Sequence, residues 1–383
     1  MKDREIPMAN SWLVRGRQVS VVSILACLCA GNALADDREG LAVRDRTIGF
    51  VMVEKFIAQY QTPGGKTECP TGFNDGPREQ FKQLFPVDGP KRTVLESQLA
   101  REGEIWFPVR GNDPFPFKEA QGATAIGLNL DGKVGPEDFV GPDGEQGIDN
   151  QLYRVLGCIE NYRGPTGTFY EVTNKRIQQR GYNRMLLELT NVDSLVNDED
   201  VDVSLYHGLG QLQNDASGVD FAPGQTQRVD GRWGKEFVRH TKGKIVDGVL
   251  ITAPVDAVFP EKSAHPTTGP VNLIRDWTAR LKLNADGAEG LMAGFADVFS
   301  WYRADNQNWS THHHSYGQAS QQSMYESLAR NADAYPDPKT GENTAISAAW
   351  KVRWTQAFLM HPRKEPGSPN IANLPSAPAG RSR

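Results

Sequence analysis

Met185–Leu195, MLLELTNVDSL, and Asp200–Gly208, DVDVSLYHG, are the runs on which the reading of the fold turns. In the second, Val201, Val203 and Leu205 share one side, and Asp202, Ser204 and Tyr206 share the other. A period of two marks a strand with one buried face, and such a face must be covered by another layer of structure. Working outward, Gly248–Ala253 (GVLITA), Trp277–Leu283 (WTARLKL) and Thr344–Phe358 (TAISAAWKVRWTQAF) read as further strands, and Asp286-Gly287 as a turn. Upstream, Thr47–Tyr60 (TIGFVMVEKFIAQY) is rich in β-branched and aromatic residues and reads as a strand too. Leu291–Tyr302 spaces Leu291, Phe295, Val298 and Phe299 as a helix packed on a sheet would.

These elements predict a β-rich α+β protein. A β-sandwich-like region with a packed helix spans residues 171–361, preceded by a smaller strand-and-helix region over 36–170, with the boundary near residues 165–180. In the smaller region, Asp75-Gly76-Pro77 resembles a helix start. Thr93-Val94-Leu95-Glu96 is a capping box opening a second helix, and Leu152–Ile159 is an apolar run. The tail, residues 362–383, is rich in Pro, Ser, Gly and Arg and has too little to bury, so disorder is expected. The 38 glycines and 24 prolines fit a turn-rich, strand-dominated chain.

With 42 basic and 47 acidic residues, the formal charge of −5 gives no reason to expect nucleic acid as a partner. The N-terminus reads as a signal peptide over residues 1–35. Arg15 and Arg17 precede a short apolar run, and Ala33-Leu34-Ala35 offers small residues for cleavage before Asp36. A periplasmic or secreted protein is expected. Leu25-Ala26-Cys27 loosely resembles a lipidation site, the lipoprotein alternative. Nothing else is apolar for long enough to cross a membrane as a helix. Loss of the signal leaves Cys69 and Cys158, which an oxidising compartment would join as a disulfide; two separate thiols are the other reading.

Asn129–Asn150 reads NLDGKVGPEDFVGPDGEQGIDN. Confined together, Asp131, Asp138, Asp143, Glu145 and Asp149 repel one another. A calcium ion held by these carboxylates with Asn129 and Asn150 would relieve that repulsion. The glycines suit the sharp turns such a site needs. An EF-hand does not fit, because its first ligand position would fall on Gly127. The bland alternative is a solvated loop of Asp-Gly turns. Gly141–Cys158, GPDGEQGIDNQLYRVLGC, resembles a segment of uncharacterised exported proteins of Gram-negative bacteria, in which P-D-G-x-x-G-[IV]-D-N-Q precedes an apolar run and a cysteine. Ala332–Trp350 is similar to C-terminal stretches of the same proteins. That resemblance implies export and carries no activity with it.

Other constellations are weaker. In an extended segment, His312 and His314 face the same way and would suit zinc, copper or nickel; an exposed loop is the alternative. Asn191, Asp193, Asp198 and Asp200, and likewise Asp333, Asp337 and Glu342, suit turns. No G-x-S-x-G elbow, H-E-x-x-H or P-loop occurs. Trp277, Trp301, Trp309, Trp350 and Trp354 would suit either the core or a sugar-stacking surface. The functional expectation is therefore an exported, soluble protein with a binding or structural role, ordered by calcium. An envelope or extracellular hydrolase and a carbohydrate-binding module, with glycan or an envelope component as partner, are the alternatives.

Overall fold

The computed structural model describes residues 43–76, 117–164, 167–180, 184–260, 271–284, 286–306 and 318–362, together with 88, 100–101 and 104–105. The expected signal segment, the helix expected after Pro77, Trp309, His312, His314 and the tail beyond residue 362 lie outside the described residues; of the helix expected from Thr93 to about Glu102, the described residues Ala100–Arg101 are strand instead.

In chain order the strands are β1 (Ile48–Ile57), β2 (Ala100–Arg101), β3 (Glu104–Ile105), β4 (Met185–Thr190), β5 (Asp198–His207), β6 (Gln225–Arg228) and β7 (Arg239–Val246). They continue with β8 (Val249–Thr252), β9 (Val255–Pro260), β10 (Val271–Asn284), β11 (Gly287–Asp297), β12 (Ala334–Pro336) and β13 (Asn343–Met360). The helices are α1 (Leu152–Leu156), α2 (Thr168–Arg180), α3 (Val298–Asn306) and α4 (Gln321–Arg330).

Eight strands close on themselves in the order β1-β4-β5-β7-β8-β10-β11-β13, and β13 returns to pair with β1. Every pairing in this ring is antiparallel. The fold is a closed barrel, which corrects the expected β-sandwich. A sandwich and a barrel demand the same alternation along each strand. What separates them is whether the outermost strands meet, and β1 meets β13 across almost the whole chain: Arg353 bonds Glu54, 299 positions away. β1 lies before the boundary expected at residues 165–180 and its partners β4 and β13 lie after it, so the barrel draws on both regions.

The interior is filled by side chains of alternate residues. Phe50 and Met52 of β1, Leu187 and Leu189 of β4, Val201, Val203 and Leu205 of β5, Trp277 and Leu281 of β10, and Trp350, Val352 and Trp354 of β13 belong to one buried cluster. An eight-stranded ring is just wide enough for such filling. β11 adds Ala288, Met292 and Ala296 to the same cluster, and at Gly287 an added Cβ would overlap the Trp354 carbonyl oxygen, so the β11 and β13 backbones approach closely there. Trp277, Trp301, Trp350 and Trp354 are all buried, so these four tryptophans build core and not a sugar-stacking surface.

Between these inward positions the wall carries charge: Asp200, Lys242, Lys244, Arg280, Lys282 and Glu289 are exposed. A lipid-facing barrel would carry an apolar band there. No helix among the described residues is long and apolar enough to cross a membrane. Chain covers two apolar patches of the outer wall. Leu128, Ala58, Ala293 and Ala349 pack together, as do Val51, Leu186 and Ala357 with Leu212 and Val229.

The expected helix over Leu291–Tyr302 splits in two. Leu291–Asp297 completes β11 and only Val298 onward is helical, with the Asp297 carboxylate accepting the Ser300 N–H at 2.7 Å as an N-cap. Leu291 and Phe295, four apart, share a strand face as readily as a helix face, while Phe299 is 55% exposed. α3 and α4 contribute Trp301, Met324 and Leu328 to the barrel core, and Trp301 stacks on Trp350. Cys69 and Cys158 form the expected disulfide.

The inward register has a direct consequence for stability. Trp354→Ala should cost about 3–5 kcal/mol in urea unfolding, whereas Lys244→Ala on the outer wall should change it by less than about 0.5 kcal/mol. Equal losses at the two positions would contradict the alternation.

Candidate functional site

The acidic segment lies across the outer wall of the barrel. Leu128 inserts beside Ala293 and Ala349, short bridges join Leu128 to Asp149 and Phe139 to Ile148, and Glu145 pairs with Arg280 of β10 at 2.9 Å. Phe139, Ile148 and Tyr153 form a small satellite core with Cys69 and Cys158. Sequence spacing brings these residues together; the barrel wall then sets their orientation.

Each polar side chain expected to share a calcium ion has a hydrogen-bond partner within the protein. Asn129 Oδ1 accepts the Gly132 N–H and its Nδ2 donates to the Lys133 carbonyl. Asp131 accepts from Lys133 N–H, Asp138 from Gly135 N–H, and Asp143 from Glu145 N–H. Asp149 Oδ2 accepts the Leu130 N–H at 2.6 Å, and Asn150 Nδ2 donates to the carbonyls of Ala58 and Ile126. These are the bonds of Asx turns and anchors. Among the described residues, no group of three or more His, Cys, Asp or Glu side chains is arranged to hold a metal ion.

Asp149 is the electrostatically exposed member of this set. Burial pushes its carboxyl up to about 6; the N–H bonds from Leu130 and Asp131 oppose that, and the charges of Asp138 and Asp131 add to it. The second acidic group behaves differently. Asp198 is buried, yet N–H bonds from Asp193, Asp200 and Ser194 outweigh the burial and hold its carboxyl below the usual range. Asp337 accepts from Lys339 N–H and Thr340 N–H, as a turn residue does.

Glu188, Ser204 and His240 are cross-strand neighbours on β4, β5 and β7, and Ser204 Oγ lies 2.8 Å from His240 Nδ1. The carboxylate of that row bonds His361 at 2.8 Å instead of orienting His240. The flanking backbone N–H groups belong to strand ladders, which leaves the row without the donors of an oxyanion hole.

A recess lies where β10 and β11 meet α3, α4 and the β12–β13 hairpin. It has a volume of about 1,170 Å³ and opens at the barrel mouth, a common place for ligand sites. Its walls carry the aromatic side chains of Phe299, Tyr325 and Tyr335 beside the polar groups of Arg275, Glu326 and Asn343. Tyr335 is held from several sides. Its hydroxyl donates to Asp276 Oδ2 at 2.5 Å, the Arg275 guanidinium sits 4.6 Å from its ring centroid, and Phe295 packs edge-on at 5.9 Å. Burial, followed by the hydrogen bond and charge of Asp276, pushes the Tyr335 phenol up to about 12, so it stays a donor at neutral pH.

Both ends of the Tyr335–Asp276 bond lie in the left-handed backbone region, with φ of 57° at Tyr335 and 48° at Asp276. For a bulky residue this conformation is a genuine outlier, costing on the order of 1–3 kcal/mol, and such strain concentrates at functional sites. At Asp276 it accompanies a bulge, because the β10–β11 register breaks between Arg275 and Thr278. The sequence reading reached neither residue as a site. Pro336-Asp337-Pro338 flags a tight turn beside Tyr335, but a bulge inside β10 leaves no mark on the alternation.

The raised carboxyl of Asp149 makes stability depend on pH. Between the ordinary 3.8 and about 6 the folded state holds a proton that the unfolded state releases, so stability falls as pH rises through that window and stays lower above it. Asp149→Asn keeps an acceptor for Leu130 N–H without the charge. At pH 7 it should be more stable than the parent by up to about 3 kcal/mol, with a flatter profile from pH 4 to 6. A thermal-melting series that leaves the two proteins parallel would contradict this.

Compared with known proteins, the chain matches no family model, no curated protein and no solved structure.

Proposed function

We propose that the chain is an exported binding protein and that its barrel-mouth groove takes a glycan. The observation that carries this reading is the groove itself: aromatic faces and hydrogen-bonding side chains line one recess, and a strained tyrosine is fixed within it. Sugar rings present apolar C–H faces that stack on aromatic rings, and hydroxyls that need donors and acceptors at defined positions. Phe299 and Tyr325 supply faces, while Arg275, Glu326 and Asn343 supply polar contacts. Tyr335 is ordered before any ligand arrives, through Asp276, Arg275 and Phe295, which lowers the entropy cost of binding. Export rests on the signal-like N-terminus and the oxidised cysteine pair.

A binding role is favoured over a hydrolytic one because, among the described residues, no carboxylate orients the Ser204–His240 pair. Calcium does not enter the proposal, since the acidic side chains are engaged in local turns.

Calorimetric titration with a panel of neutral oligosaccharides should show saturable binding. Tyr335→Ala and Phe299→Ala should each weaken it at least about ten-fold, equivalent to roughly 1.4 kcal/mol. Phe299 is more than half exposed, so its removal leaves the core intact. Absence of binding across the panel, or unchanged affinity in both variants, would remove the glycan reading. Release of shortened sugars would move the protein to the hydrolases.

A further inference from the structure

The hydrogen-bonding groups of the mouth groove divide unevenly. Most donors in its wall are committed within the protein. The Tyr335 hydroxyl donates to Asp276, Thr344 Oγ1 to the Tyr335 carbonyl at 2.7 Å, and Asn343 Nδ2 to the Ala332 carbonyl at 3.0 Å. Arg330 is turned to Glu119, which accepts from its Nε and Nη2. Arg275 lies over the Tyr335 ring with Asp297 4.0 Å away, so its charge is offset within the wall.

The acceptors are less engaged. Among the described residues, no hydrogen bond or ion pair engages the Glu326 carboxylate. Asp337 uses Oδ1 alone for the N–H groups of Lys339 and Thr340. Charge points the same way: Asp297, Glu326, Asp337 and Glu342 line the groove against Arg275 and Arg330. Behind Tyr335, Asp256 accepts the Asp276 N–H at 3.1 Å, and this pair adds further negative charge. A recess with unengaged acceptors and net negative charge favours a ligand that brings N–H donors and a positive charge. Tyr325 and Glu326 are consecutive on α4 and both line the recess, and a cation is attracted by an aromatic face as well as by a carboxylate.

We propose that the groove selects amino sugars, holding the ammonium of a glucosamine-like unit between the Glu326 carboxylate and the Tyr325 ring. This inference rests on the glycan reading and names the class of glycan.

Two probes of equal length separate the charge from the sugar: a short β-linked glucosamine oligomer and its fully N-acetylated counterpart. Both are titrated calorimetrically into the full chain at pH 5.5, where the amine is protonated, and at pH 9, where it is neutral. At pH 5.5 the amino oligomer should bind about ten-fold more tightly than the acetylated one, as an ion pair combined with a cation–π contact would give. At pH 9 that preference should vanish. Glu326→Gln, which keeps the shape and an acceptor, should reduce the preference at pH 5.5 to about two-fold. The comparison of the two pH values uses the parent protein, so it decides the question even if the variant does not fold. Equal affinities at pH 5.5, a preference that persists at pH 9 or in Glu326→Gln, or a trilysine peptide that binds as tightly as the amino oligomer would each overturn the inference. Equal affinities leave the glycan reading standing, whereas binding of neither oligomer at either pH removes both.

Discussion

The hydrogen bonds between β1 and β13 are the constraint on which the rest of the molecule depends. They join strands from opposite ends of the chain and turn an open sheet into a ring. Once closed, the ring has an inside, and alternate residues of every stave must fill it. Tryptophan at positions 277, 350 and 354 together with Ala288, Met292 and Ala296 of β11 is one solution to that volume problem. Closure also removes the exposed edges that would otherwise pair with other chains. Arg353 reinforces it from outside, bridging Glu54 on β1 and Asp220 on the covering loop.

Everything not in the ring is applied to its surface. The acidic segment covers the apolar patch around Ala293 and Ala349, the stretch containing Leu212 and Val229 covers another, and α3 and α4 reach the core at the mouth. Recesses form where such coverings meet the staves, because irregular chain does not fill the angle it makes with a strand. The mouth groove has this origin, and it mixes aromatic faces with both signs of charge.

The charge of the acidic segment is managed locally. Glycines permit turns in which backbone N–H groups face carboxylates, and these bonds replace water around most of them. Asp149 is the exception, because its position under the segment removes water that two N–H bonds do not fully replace. Strain at the mouth has a different source. A bulge in β10 and a tight turn after α4 place Asp276 and Tyr335 in left-handed conformations, and their mutual hydrogen bond holds both there.

Local pattern was enough to find six of the eight staves, with β7 and β11 missed: alternation at Val201–Tyr206 and at Trp350–Trp354 reads directly as one buried and one outward face, because side-chain direction in a strand depends only on its neighbours. The cysteine pair and the turn-forming character of the Asp-Gly segments were equally legible. Tertiary structure decided what those strands build, since the β1–β13 pairing spans almost the whole chain and costs the same local pattern as a sandwich. It also decided that Leu291–Asp297 is strand and not helix, because β10 and β13 offer that segment hydrogen-bond partners on both sides. The mouth groove was beyond the sequence for the same reason: Tyr335 meets Asp276 only after distant segments are brought together.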